Sequence, residues 1–101
     1  MAEQVTDHPD QARYEIDVDG ERGGFMRYHR SGQQITLIHT ETDARFRGRG
    51  LGGHLIAGVL DDARRHGLAV IPLCPFARAF IADHPAYADL VPADLRQEFR
   101  L

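Results

Sequence analysis

The 101-residue chain contains no lysine, only one cysteine and no apolar run long enough to span a membrane. Each of these absences narrows what the protein can be. All twelve basic residues are arginine, and against fifteen acidic ones they leave a formal net charge of −3. A duplex-binding protein is ordinarily basic overall or carries a basic stripe, so no nucleic-acid partner is expected. The single cysteine, Cys74, excludes an internal disulfide framework and any CxxC metal site, and suits a reducing cytosol. The N-terminal stretch MAEQVTDHPDQ is polar and has no signal-peptide core, so a soluble cytoplasmic protein with no membrane partner is expected. The chain shows neither an internal repeat nor a low-complexity tract. Its length suits one domain over residues 1–101, with a single modest core.

What is present changes period halfway along. Residues 1 to about 10 read as a flexible, frayed segment ending in the turn-like His8-Pro9-Asp10. From Arg13, apolar Tyr14, Ile16 and Val18 alternate with Glu15 and Asp17, and Asp19-Gly20 supplies a hairpin turn. Phe25 to Arg30 reads as a second strand and Ser31-Gly32 as the next turn. Gln34 to Thr42 (QITLIHTET), rich in β-branched residues, reads as a third, longer strand. Then Leu51, Leu55, Ile56, Val59, Leu60 and Ala63 recur at helical spacing, ending at Arg64, Arg65, His66 and Gly67. Leu68 to Leu73 (LAVIPL) predicts a short strand parallel to the one before the helix. Cys74-Pro75 opens another helix carrying Phe76, Phe80 and Ile81; His84-Pro85 stops it, and Pro92 to Phe99 suggests a last short one. The class is α/β (α+β): a mixed, mostly antiparallel sheet with flanking helices.

Between strand and helix lies Arg45 to Leu55, RFRGRGLGGHL, with four glycines and three arginines in eleven residues. A helix start has unpaired N–H groups and partial positive charge, and glycine lets an anion approach the backbone. Gly48, Gly50 and Gly53 fit GxGxxG, but a dinucleotide fold needs that loop after the first strand of repeated βαβ units, and three antiparallel strands precede it here. Arg47-x-x-Gly50-x-Gly52 fits a different pyrophosphate loop. Glycines serving only close helix packing are the remaining alternative.

The Arg47-x-x-Gly50-x-Gly52 loop resembles the acetyl-coenzyme A pyrophosphate loop of the GNAT superfamily of N-acetyltransferases. HTE (39–41), RGRGLG (47–52), PLCPF (72–76) and HPAYADLV (84–91) are similar to its small GNAT-like subfamily, and the resemblance runs from about Val5 to Val91. It implies a minimal acyl-CoA N-acyltransferase fold and acetyl-CoA-dependent transfer to an amine of unknown identity. The alternative is a non-catalytic module that binds coenzyme A or acyl-CoA. In that fold the strands before and after the helix splay apart, and one of them pairs with the pantetheine arm. By resemblance the arm lies along Thr40, Glu41 and Thr42, the diphosphate takes N–H groups from Arg47, Gly48, Arg49, Gly50, Leu51, Gly52 and Gly53, and Cys74 and Phe76 border the cofactor. Arg45, Arg47 or Arg49 is expected to neutralise phosphate charge.

Amide formation needs a base to deprotonate the amine and donors to stabilise the oxyanion. His39 and Glu41 share a strand face and either suits the base; imidazole ordinarily titrates near neutrality. Cys74 precedes a helix-starting proline, which places its sulfur near unpaired helix N–H groups, where nucleophilic cysteines are found. It accepts the acetyl group transiently, tunes the site, or is an inert buried thiol. His84 reads as a capping or packing residue. The sequence departs from the superfamily where a tyrosine usually protonates the leaving thiolate: the register puts Ile81 there, and Tyr87 comes only after the His84-Pro85 break. N-terminal helices that enclose the acceptor in longer members are also missing, which implies an open acceptor site.

Overall fold

The computed structural model describes residues 2–101. Its first half is the expected meander, extended by one strand. β1 (Glu3–His8), β2 (Arg13–Val18), β3 (Glu21–Ser31) and β4 (Gln34–Thr42) pair antiparallel in sequence order, and β5 (Ala69–Pro72) joins β4 in parallel. The helices are α1 (Leu51–Arg65), α2 (Pro75–Asp83) and α3 (Ala93–Phe99), with short 3-10 turns at Pro9–Gln11, Ala44–Phe46 and Pro85–Leu90. This is the mixed sheet with flanking helices that the hydrophobic periods predict.

Two expectations need correction. Within the first ten residues, Glu3–His8 is not frayed but forms β1, paired with β2 from Glu3–Val18 to His8–Arg13; Met1 lies outside the described residues. It docks on α1 through Val5, which lies over Gly58 so closely that a Cβ there would come within 2.9 Å of it. An edge strand with one solvated face needs few apolar residues, so its composition hides it. The second strand also starts earlier than Phe25. Ile16 pairs with Gly24 and Asp17 with Arg22, leaving Gly23 as the extra residue of a bulge. Paired glycines in a strand mark this kind of irregularity.

The core lies on one face of the sheet. Tyr14, Ile16, Met26 and Leu37 of the strands meet Leu55, Ile56, Val59 and Leu60 of α1, all buried, as the helical period of those positions requires. Ala77 and Ile81 of α2 extend the same core. The other face carries Arg13, Glu15 and Asp17 of β2, Phe25 and Arg27 of β3, and His39 of β4, all half-exposed or exposed. The sheet therefore has one dry face and one wet one.

The core's edge is closed by two phenols. The Tyr14 hydroxyl donates to Asp62 at 2.5 Å and the Tyr28 hydroxyl to Asp7 at 2.6 Å, with the two rings 5.4 Å apart. Burial, followed by these carboxylate bonds, pushes both phenols above their ordinary range. Burial alone would raise the Asp62 carboxyl, but its bonds from Tyr14 and Arg65 outweigh that and hold it below the usual carboxylate range. A depressed carboxyl stabilises the fold fully above its unfolded-state value, and the contribution is lost as pH falls through the folded one. Tyr14→Phe should cost about 1 kcal/mol at neutral pH and flatten the acid limb of stability below about pH 4. Urea unfolding at a series of pH values checks this; an unaltered acid limb would show that the bond to Asp62 does not set it.

Candidate functional site

The site begins where β4 loses a neighbour. β4 and β5 are in register only from Gln34–Ala69 to Leu37–Pro72, although β4 continues to Thr42. Pro72 has no N–H with which to extend the ladder. The Leu37 carbonyl accepts instead from Cys74 N–H at 2.9 Å, and Pro75 then turns the chain into α2. On the other side of β4, Tyr28 pairs with Leu37 and Arg27 with His39, so Ile38 is bulged. Asp43 N–H donates to Gly23 C=O at 2.7 Å. Because ladder bonding alternates along an antiparallel strand, the peptide groups of Thr42 and Thr40 then point away from β3, into the space β5 has left.

Beyond Thr42 the chain closes a tight turn. The Asp43 carboxylate accepts from Arg45 N–H at 2.9 Å, and the Arg45 guanidinium binds Asp43 and Glu21. The Arg45 bonds hold the Asp43 carboxyl below the usual range. Arg47 N–H donates to Ala44 C=O at 3.2 Å and Arg49 N–H to Phe46 C=O at 3.3 Å. Of the groups expected to meet an anion, the Arg45 guanidinium and the peptide N–H groups of Arg47 and Arg49 thus have internal partners. What stays open is the first turn of α1. Gly50 is its N-cap at φ 71°, and no side chain among the described residues caps it. His54 N–H returns to Gly50 C=O, so the N–H groups of Leu51, Gly52 and Gly53 have no partner within the helix. They line an open cleft of about 330 Å³ with Thr42, Arg47 and Phe76, and Gly48 is in the same wall.

The three residues expected to do chemistry fall into two groups. His39 Nε2 lies 3.0 Å from Glu41 Oε2, both side chains more than half exposed, with Phe25 edge-on to the imidazole at 6.3 Å. Cys74 is buried, its Sγ 3.4 Å from the Thr40 hydroxyl, which also lies 3.5 Å from Met26 Sδ. Side chains alternate along a strand, so His39 and Glu41 are on the wet face and the Thr40–Cys74 pair is on the core side. Cys74 is the N-cap residue of α2, at the helix start where its place before Pro75 puts it, and its sulfur makes no capping hydrogen bond. Ile81 is 1% exposed, and the Tyr87 hydroxyl donates to Asp61 at 2.9 Å. His84 stacks on Phe80 at 4.0 Å and bonds its carbonyl, a packing role as read from sequence. Sequence reasoning passed over Arg22 and the Gly23–Gly24 bulge beside Glu41; the paired glycines were the available signal.

A sheet whose parallel edge parts beside an open helix start is the fold of the acyl-CoA N-acyltransferases. A GCN5-like protein from Staphylococcus aureus has this fold with a TM-score of 0.67 at 22% identity, over 87% of this chain and 86% of its own. The ribosomal-protein-S18-alanine N-acetyltransferase of Escherichia coli gives a TM-score of 0.61 at 18% identity, covering 71% of this chain and 50% of the enzyme. N-acetylglutamate synthase from Neisseria gonorrhoeae, complexed with coenzyme A and N-acetyl-glutamate, gives 0.59 at 17% identity, covering 95% of this chain and 26% of that one. Residues 13–90 match the family model described as GCN5-related N-acetyl-transferase. The chain belongs to the GCN5-related N-acetyltransferase family, and acetyl transfer is the general chemistry of that family.

Gly52 is the glycine whose missing side chain matters most here. A Cβ on it would lie 2.5 Å from Cε2 and Cζ of Phe76, a ring 43% exposed at the cleft wall. Gly52→Ala should displace that ring toward solvent at a cost of about 1 kcal/mol. Thermal unfolding and the Phe76 ring-proton shifts report it; unmoved ring resonances would mean that the ring does not rest on this turn.

Proposed function

We propose that the protein is an acetyl-CoA-dependent N-acetyltransferase acting on a primary amine in a reducing cytoplasm. The observation that carries this reading is the parting of β4 from β5 at Leu37–Pro72 beside the uncapped start of α1. Both chemical needs of a phosphopantetheine chain are present there. Thr40 and Thr42 offer peptide groups to an amide-bearing arm, as an added strand would use them. The N–H groups of Leu51, Gly52 and Gly53 suit a diphosphate, with Arg47 in the same wall. Coenzyme A in the Neisseria synthase supports the choice of cofactor. Acetyl-CoA supplies an activated acyl carbon; the remaining tasks fall to the protein.

The amine approaches from the wet face, where Glu41 and His39 stand. Its nitrogen forms the C–N bond to the acetyl carbon as the C–S bond breaks. The displaced proton passes to the Glu41 carboxylate, which His39 positions. The leaving sulfur takes a proton from water, since Ile81 holds the place of an acid and the Tyr87 hydroxyl is engaged by Asp61. Direct transfer is favoured over an acetyl-Cys74 intermediate. The thiol's polar contact is the Thr40 hydroxyl, and the His39–Glu41 pair is on the opposite side of the strand. Cys74 and Thr40 instead shape the inner wall against which the thioester rests. A coenzyme A-binding module without turnover is the second reading, favoured by the missing acid.

Calorimetry with acetyl-CoA, competed by dephospho-coenzyme A and by ADP, tests the binding half; no heat at millimolar ligand removes both readings. Thiol release with an amine panel separates them. Glu41→Gln should lower kcat/KM by about a hundredfold, the usual share of a general base. Cys74→Ala should stay within about tenfold of the parent, because a group outside the proton path contributes far less than a base or nucleophile. The reverse ranking would favour an acyl-cysteine route.

A further inference from the structure

On the wet face, directly behind the cofactor cleft, lies a second and smaller pocket of about 160 Å³. The two hollows share Thr42 and Asp43, so the end of β4 is the partition between them. Resting on the acetyl-transfer reading above, we infer that this pocket is the acceptor site and that it selects a small amino acid, holding its carboxylate at Arg22 and its amine at Glu41.

The hollow lies at the glycine bulge, where Gly23 is the unpaired residue of β3. Gly23 turns toward the core, where a Cβ would come within 2.8 Å of Leu51, and a Cβ on Gly24 would lie 2.6 Å from the Glu41 carbonyl, so neither position takes a larger residue without moving the strands that frame the hollow. At about 160 Å³ and open to solvent, the hollow is smaller than a drug-sized ligand site and suits the polar groups of a small molecule.

Its charges are arranged for a zwitterion. Asp43 is committed to Arg45. Glu41 remains as the accessible carboxylate, 61% exposed, with His39 beside it. Arg22 is 54% exposed and lies 3.6 Å from Glu15, whose carboxylate Arg13 already holds at 2.6 Å. A ligand carboxylate can therefore take the Arg22 guanidinium in a charge-assisted pair without stripping Glu15 of its main partner. Polarity along the strand also fits. Phe25 stands opposite Glu41, and Arg22 is further from the parted strands. The amine end of the pocket is thereby the end nearer, along β4, to the point where the strands part and the acyl carbon would arrive, and the carboxylate end is the further one. A lysine on a protein surface would leave Arg22 unused.

The test compares amino acids with their carboxamides as acceptors in the thiol-release assay, alongside a lysine-containing peptide. Amino acids should be preferred by about tenfold or more, the scale of one charge-assisted contact. Arg22→Gln should collapse that preference toward one through a raised KM, Arg22→Lys should restore part of it, and acetyl-CoA affinity should not change. Equal use of acids and amides, an unaltered ratio in Arg22→Gln, or preference for the peptide each overturns the inference. Binding is read separately by the amide shifts of Gly23 and Gly24 on titrating amino acids into protein alone and into its coenzyme A complex. Shifts that saturate with the acid and not the amide support the pocket, and their absence overturns it. Failure of acetyl-CoA to bind strikes the proposed function instead, and the amide shifts still decide this pocket.

Discussion

Two parallel strands that begin in register and then separate leave backbone donors and acceptors without partners, which a folded chain rarely tolerates. Here the separation has identifiable causes on both sides of the gap. Pro72 ends the donor series of β5, the Cys74 N–H takes the last shared carbonyl, and Pro75 commits the chain to a helix. On β4 the Ile38 bulge changes the local twist at the same level. Neither strand can close the ladder without losing a helix or a bulge, so the opening is built into the covalent sequence and does not depend on a ligand to hold it apart.

The same bulge decides which side chains face the chemistry. Before it, Ile35 and Leu37 enter the core; after it, Thr40 does, and His39 and Glu41 turn outward. An unbroken alternation would have carried His39 and Glu41 into the dry face along with Leu37. One inserted residue thus separates a polar pair in solvent from a thiol–hydroxyl pair beneath it. Two hollows are thereby cut from the end of one element, which is economical in so small a fold.

Much of this was legible in the residues. Gln34 to Thr42 is rich in β-branched residues and Leu51 to Arg65 has a strong period of 3.6, and both elements start and stop where those signals do. The glycine loop was legible as the start of a helix because its chemistry is local, and α1 does begin there. What was hidden depends on tertiary partners. The polar strand β1 is held by Val5 on Gly58 and by His54 near Glu3, contacts 51 to 53 residues distant in the chain that no local window contains. The arginines of the loop looked equivalent in sequence, yet Arg45 is drawn to Asp43 and Glu21, a pairing only the folded turn creates. The bulges at Gly23 and Ile38 are pairing irregularities, and pairing is invisible to periodicity.

The two ends of α1 explain how so small a core can tolerate the open site. At its start the helix leaves N–H groups unsatisfied and a glycine-rich turn with little side-chain packing, both destabilising. At its other end, Asp62 takes the Tyr14 hydroxyl, Asp61 takes Tyr87, and Arg64 clasps Asp89 and the Ala86 carbonyl. The exposed ion pairs among these add little individually, but the half-buried phenol–carboxylate bond has no comparable substitute from water and fixes the helix against the sheet. Between the ends, Leu55, Ile56, Val59 and Leu60 lock its rotation. A helix pinned at its C-terminal end and along one face resists sliding, so its N-terminal turn keeps its aim without a capping side chain.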